Sequence, residues 1–164
     1  MFRLRQSHRV LLALTLFVVA ARAQTTSSPL VVRVIAEVEL KTTIQGRETP
    51  ELAPADRVVP GDRLVYTLEV RNAGAATVSA PAVTNPVPEH MRYVADSAVG
   101  PGTQVSYSVD GGLHFDKPEN LQVPGANGEM RAAEAADYTH IRWQFKNSLK
   151  ANSLAFVRFR AVAK

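Results

Sequence analysis

Residues 138–146 (YTHIRWQFK) alternate strictly, with Thr139, Ile141, Trp143 and Phe145 on one side and His140, Arg142, Gln144 and Lys146 on the other. Successive side chains of an extended chain point to opposite faces, so this pattern specifies a strand lying on a core. A slip of one residue would turn every apolar group to water, which fixes the register. A helix would scatter the same residues around its circumference. Trp143 is the only tryptophan in the chain, and the alternation assigns it to the buried face, with Arg142 and Gln144 facing solvent.

The same period recurs elsewhere. In 30–40 (LVVRVIAEVEL), Val32, Val34, Ala36, Val38 and Leu40 share a face; in 63–71 (RLVYTLEVR), Leu64, Tyr66, Leu68 and Val70 do. Near the end, Ala155, Val157, Phe159 and Ala161 define another core side. A shorter strand is expected over Thr77–Thr84, with Pro81 pushing it to a sheet edge or bulge. A further strand is expected around Met91, Tyr93 and Val94. Turn chemistry separates these runs: Pro60-Gly61-Asp62, Asn72-Ala73-Gly74, Asn85-Pro86-Val87-Pro88 and the connection Asn147–Ser153. Residues 106–115 (SYSVDGGLHF) predict a hairpin turning at Asp110-Gly111-Gly112, where glycine supplies the positive φ a tight turn needs. Lys41–Val59 is polar and rich in proline and is expected to be a long connection. Asp116–Asp137 is expected to be an irregular loop, with one short helical turn within Met130–Asp137. Seven or eight short antiparallel strands with turns between them indicate an all-β sandwich, a single domain spanning 30–164.

The N-terminus predicts an export signal. Met1–Arg9 carries Arg3, Arg5 and Arg9 without an acid, and Val10–Ala20 is an unbroken apolar run. That run has the length of a signal-peptide core and falls short of the roughly 20 residues that span a bilayer. Ala21 and Ala23 place small side chains at the cleavage positions, so a helical signal peptide 1–23 is expected, then a flexible lead-in 24–29. The exported chain is expected in the periplasm or outside the cell, with no transmembrane anchor after cleavage. Four of the 19 basic residues lie in 1–23, so the remainder balances the 15 acidic residues and the basic pI belongs to the leader. A nucleic-acid partner, which needs a clustered basic face in the folded part, is not indicated; Arg158 and Arg160 read as a solvated pair. No cysteine is present, which excludes disulfides, thiolate metal sites and a cysteine nucleophile. About 141 residues remain, enough to hold together by burial alone.

Several spaced elements agree in order with one family. Residues 58–74 (VVPGDRLVYTLEVRNAG), 84–99 (TNPVPEHMRYVADSAV), 107–112 (YSVDGG) and 138–145 (YTHIRWQF) resemble the bacterial repeat module known as domain of unknown function 11, over residues 56–164. Asn85 stands where that family usually has Asp, and one copy is present. The resemblance implies an immunoglobulin-like sandwich in an exported or cell-surface protein, and it brings no catalytic residues.

Ser108, Asp110, Gly112 and Phe115 fit the spacing S-x-D-x-G-x-x-F, which resembles the Asp-box hairpin of sialidases and related β-propellers. A propeller needs several copies and a much longer chain. The four residues are therefore expected to be structural, with Ser and Asp side chains bonding turn backbone and the aromatic beneath. Other chemistry is weakly supported. His90, His114 and His140 have no zinc-ligand spacing. Asp110, Asp116 and Glu119 lack an EF-hand register for calcium. Ser108, His114 and Asp110 lack a nucleophile elbow. The expected function is a non-catalytic exported module, without cofactor, that binds an envelope or surface protein or serves a structural role there. The alternative is a carbohydrate-binding sandwich with Tyr107, Phe115 and Tyr138 as a stacking platform. A small exported hydrolase ranks third.

Overall fold

A computed structural model describes residues 29–44 and 47–164; the expected signal peptide and cleavage residues Ala21 and Ala23 lie outside the described residues. Ten strands follow in order: β1 (Leu30–Ile44), β2 (Arg47–Pro54), β3 (Arg63–Asn72), β4 (Ala82–Pro86), β5 (Met91–Tyr93), β6 (Thr103–Ser108), β7 (Gln122–Pro124), β8 (Met130–Ala132), β9 (His140–Phe145) and β10 (Leu154–Ala163). They form a five-stranded sheet β2-β1-β3-β10-β5, a three-stranded sheet β4-β9-β6 and a ribbon β7-β8. Every pairing is antiparallel.

The two larger sheets pack in the manner of a sandwich because each turns one apolar face inward. Register places Leu68 of β3 between Val34 of β1 and Val157 of β10, and Tyr66 between Ala36 and Phe159. From the other sheet, Trp143 of β9 reaches to 6.1 Å from the Phe159 ring, which itself stacks on Tyr66 at 4.8 Å. Trp143, Phe159, Leu68 and Ile141 are fully buried. Burying large aromatics from both sheets is what stabilises a chain without disulfides. Asn72 is also fully buried: it donates to the carbonyls of Ala76 and Leu149 and accepts from the Gly74 N–H. That satisfied amide ties the end of β3 to the connection before β10.

Several expectations are corrected. The described residues hold ten strands rather than seven or eight. Part of the Lys41–Val59 stretch is not a connection: β1 continues to Ile44 and β2 returns beside it. β2 is exposed along nearly its whole length, so no apolar alternation marks it, and its prolines are tolerated because it is a sheet edge. Within Thr77–Thr84, Val78 makes an isolated bridge to Leu149 and the strand itself begins only at Ala82, after the buried Pro81, although it lies at the sheet edge as expected. Finally, β6 pairs with β9 rather than with the segment after the glycines, which closes only through a Tyr107–Asp116 bridge. The Asp116–Asp137 loop is also more ordered than expected, carrying the β7-β8 ribbon and 3-10 turns at Pro118–Asn120 and Ala135–Asp137.

Candidate functional site

The Asp110 loop is built on buried serine. The Ser108 hydroxyl is inaccessible to solvent, donates to Asp110 Oδ1 at 2.7 Å, and accepts the N–H groups of Gly112 at 2.9 Å and Asp110 at 3.3 Å. Asp110 Oδ1 accepts in addition from the backbone of Leu113 at 3.1 Å and of His114 at 3.0 Å, while Oδ2 lies 2.6 Å from His114 Nδ1. The His114 backbone N–H, then the Ser108 hydroxyl, then the His114 ring hold the Asp110 carboxyl well below its ordinary range. Gly111 donates to the Thr139 hydroxyl, which in turn donates to the Ser108 carbonyl. The loop is thus anchored at both ends of the turn to Thr139, the residue that leads into β9.

This constellation cannot act as a hydrolytic triad. Its order is serine to aspartate to histidine, so the imidazole does not touch the hydroxyl as the base of such a triad does. The serine is also buried, with its oxygen consumed by two backbone N–H groups. Phe115 is half-buried, and the Arg142 guanidinium lies 3.6 Å from its ring centroid while bonding the Thr84 hydroxyl at 3.2 Å. Arg142 and Gln144 are therefore not simply solvated: Gln144 donates to the carbonyls of Ala80 and Pro81. His140 is half-buried, with its ring under Gly112.

The expected aromatic platform is not assembled. Tyr107 and Tyr138 are buried and stack on each other at 4.4 Å between the sheets. Tyr93 joins them through a 3.0 Å hydroxyl–hydroxyl hydrogen bond to Tyr107. Burial first, then that hydrogen bond, pushes the Tyr107 phenol well above its usual range. The calcium candidates are dispersed in role: Asp116 caps the turn that follows, accepting from the Lys117 N–H and the Asn120 amide, while Asp110 serves its own loop. No cluster of His, Asp or Glu suited to a metal ion occurs among the described residues.

Two grooves remain. One of about 530 Å³ is lined by Glu39, Lys41, Glu48, Asp62 and Arg63. Lys41 pairs with Glu48 and Glu39 lies between Arg63 and Arg160, while the Asp62 carboxylate accepts the Val59 N–H at 2.8 Å. The other, about 370 Å³, is apolar and opens beside Val58, Val59, Leu64, Tyr66 and Met91.

The larger surface feature is a mismatch in sheet width. The three-stranded sheet covers β3 and β10, while β1 lies beyond it. Of the β1 residues that alternate onto the core side, only Val38 is buried; Val32 is 42% exposed, Val34 47% and Leu40 44%. The alternation in β1 was legible in the sequence, but nothing local told which sheet would cover it. Among the described residues no helix is long and apolar enough to cross a membrane. A scan against protein-family models matches none, and searches of curated proteins and of solved structures find no similar protein.

Proposed function

We propose that this chain is an exported, non-catalytic binding module with an immunoglobulin-like sandwich of the kind the motif resemblance implies, which docks another envelope or surface protein. The observation that carries this reading is the uncovered inner face of β1. Val32 and Val34 sit two residues apart and Leu40 lies beyond the half-buried Ala36 and the buried Val38 on the same face; the three are left 42–47% exposed. Exposed apolar surface on a strand face of this kind marks a recognition face, and an edge of a sheet beside it offers backbone pairing as well. The buried serine and the satisfied Asp110 loop support a structural role for the one motif that suggested chemistry. A carbohydrate-binding role has less support, because Tyr107 and Tyr138 are withdrawn into the core.

The test is capture by immobilised protein from envelope extracts, with the Val34→Lys variant alongside. The expected result is a partner retained by the native chain and lost with the variant at unchanged thermal stability. Equal retention by both chains removes the β1 face from the proposal. N-terminal sequencing of envelope material tests export, with Gln24 as the expected first residue.

A further inference from the structure

The outer face of the five-stranded sheet carries an arginine excess that the fold leaves uncompensated. Register places Arg33, Arg63, Arg71, Arg92, Arg158 and Arg160 on that face, among Glu37, Glu39 and Glu69. The ion pairs are uneven. Arg33 engages Glu69 at 3.4 Å, while Arg63 and Arg160 share Glu39 at 3.9 and 3.6 Å. Among the described residues, Arg71, Arg92 and Arg158 have no carboxylate within salt-bridge reach. The cross-strand neighbours of Arg158 are Thr67 and Val99, and those of Arg71 are Val31 and Leu154. Between these two free guanidinium groups lies Phe156, 44% exposed, beside the exposed Leu154. Arginine with exposed aromatic and aliphatic groups, and little lysine, is the composition of protein interfaces.

The opposite charge is carried by the same chain. The 116–137 loop holds Asp116, Glu119, Glu129, Glu134 and Asp137 against Lys117 and Arg131. Arg131 is taken by Asp137 through two hydrogen bonds of 2.7 and 2.9 Å. Glu119, Glu129 and Glu134 remain exposed, although Glu129 accepts from the Asn127 amide at 2.8 Å and Glu134 caps the 3-10 turn Ala135–Asp137; Met130, next to Glu129 in the chain, is 58% exposed. This loop packs against Tyr93 and Ala95 on the core side of β5, so it lies away from the arginine face of its own sheet and cannot neutralise it. A polyanion such as nucleic acid or an anionic lipid surface would press against the interspersed Glu37 and Glu69. A loop that presents a few carboxylates around one apolar side chain avoids that repulsion.

We infer that the arginine face docks the acidic 116–137 loop of a second copy of this chain, with Glu129 and Glu134 meeting Arg71 and Arg158 and Met130 seated against Phe156. The loop lies away from the arginine face of its own sheet, so the contact is head-to-tail and continues from copy to copy as a ring or an open chain. This rests on the reading of the chain as a protein-binding module but uses a different face from the β1 overhang.

Sedimentation velocity of the purified protein tests it, at about 50 mM and about 500 mM salt, where screening differs strongly. Concentration-dependent association is expected at low salt and its loss at high salt. Arg71→Glu with Arg158→Glu, and separately Glu129→Lys with Glu134→Lys, should each weaken association roughly tenfold or more, because like charges then oppose one another. Mixing the two doubly substituted chains should restore it. Phe156→Ser is a second probe, expected to weaken association without touching a charge. A monomer at all concentrations in low salt, or no recovery on mixing, overturns the inference. Val34→Lys should leave self-association intact, so failure here and failure of partner capture are separately readable.

Discussion

Arg142 and Phe115 form one unit: the guanidinium of the first lies 3.6 Å from the ring centroid of the second. Strand β9 supplies the cation and the end of the Asp110 loop supplies the ring, so the contact joins the motif loop to the sheet. Such an arrangement contributes about 0.5–1 kcal/mol where solvent reaches it. Arg142→Ala is therefore expected to cost that amount or slightly more, since the Thr84 bond is lost as well. A double-mutant cycle with Phe115→Ala, read from denaturant midpoints, should return a coupling of about 0.5–1 kcal/mol. Additive effects would show that the ring and the cation act independently.

The acid limb of stability should carry the signature of Asp110. Its folded-state pKa is depressed, first by the His114 backbone N–H and then by Ser108 and the His114 ring. A depressed carboxylate contributes stability above its unfolded pKa, near 3.9, and loses it as pH falls through the lower folded value. Asp137, lowered mainly by its Arg131 partner, acts in the same direction. Asp110→Asn should accordingly be less stable than the native chain at neutral pH, with the gap closing as pH drops below about 4. Urea midpoints measured at pH 7 and pH 3 check this, and a constant gap between the chains counts against it. Ser108→Ala removes a buried hydroxyl that serves two N–H groups and should cost about 1–3 kcal/mol.

The two glycines after Asp110 separate two kinds of strain. Gly111 and Gly112 both have positive φ, +78° and +88°, so alanine at either pays roughly 1–2 kcal/mol for a left-handed backbone. They differ in surroundings. A Cβ on Gly111 meets nothing within 4 Å, whereas one on Gly112 would sit 3.2 Å from the His140 ring. Gly112→Ala should be the more damaging of the pair. In a His140→Ala background the difference between the two alanine variants should vanish. Thermal midpoints of the four chains decide it.

What was legible in the sequence was what alternation encodes. The core sides of β3, β9 and β10 are those read from residues 63–71, 138–146 and 155–161; in β9 one buried face imposes period two, whereas the central β3 also buries Val65 and Thr67 on its other face. β2 was invisible for the converse reason: an exposed edge needs only backbone partners, and Arg47–Pro54 gives no alternation to detect. Pairing across long separations was equally hidden. β6 takes β9 as its ladder partner, with Tyr107 opposite Ile141, and meets the end of its own loop only at the Tyr107–Asp116 bridge; no short-range signal distinguishes those partners. The same limit applies to the β1 overhang, which depends on how many strands the opposing sheet contains. The charge imbalance between sheet and loop likewise emerges only after register assigns Arg71 and Arg158 to one face.

Trp143 is the residue through which the packing can be tested most directly. Its side chain is fully buried on β9, in contact range of Phe159 across the two sheets. Yet its indole N–H has no hydrogen-bond acceptor among the described residues. Two terms therefore oppose one another at this site. Deleting the ring forfeits a large buried area and leaves a cavity, so Trp143→Ala should cost about 3–5 kcal/mol. That is a large part of the 5–15 kcal/mol that typically holds a domain together. Trp143→Phe forfeits less area and also removes the unpaired donor, whose burial costs about 1–3 kcal/mol. It should consequently lie within about 1.5 kcal/mol of the native chain, far closer to it than the alanine variant. Denaturant midpoints give both values, and the native protein should show the blue-shifted emission of an indole shielded from water. If Trp143→Phe proves as damaging as Trp143→Ala, the indole N–H has a partner that stabilises it, and the site is polar rather than purely apolar.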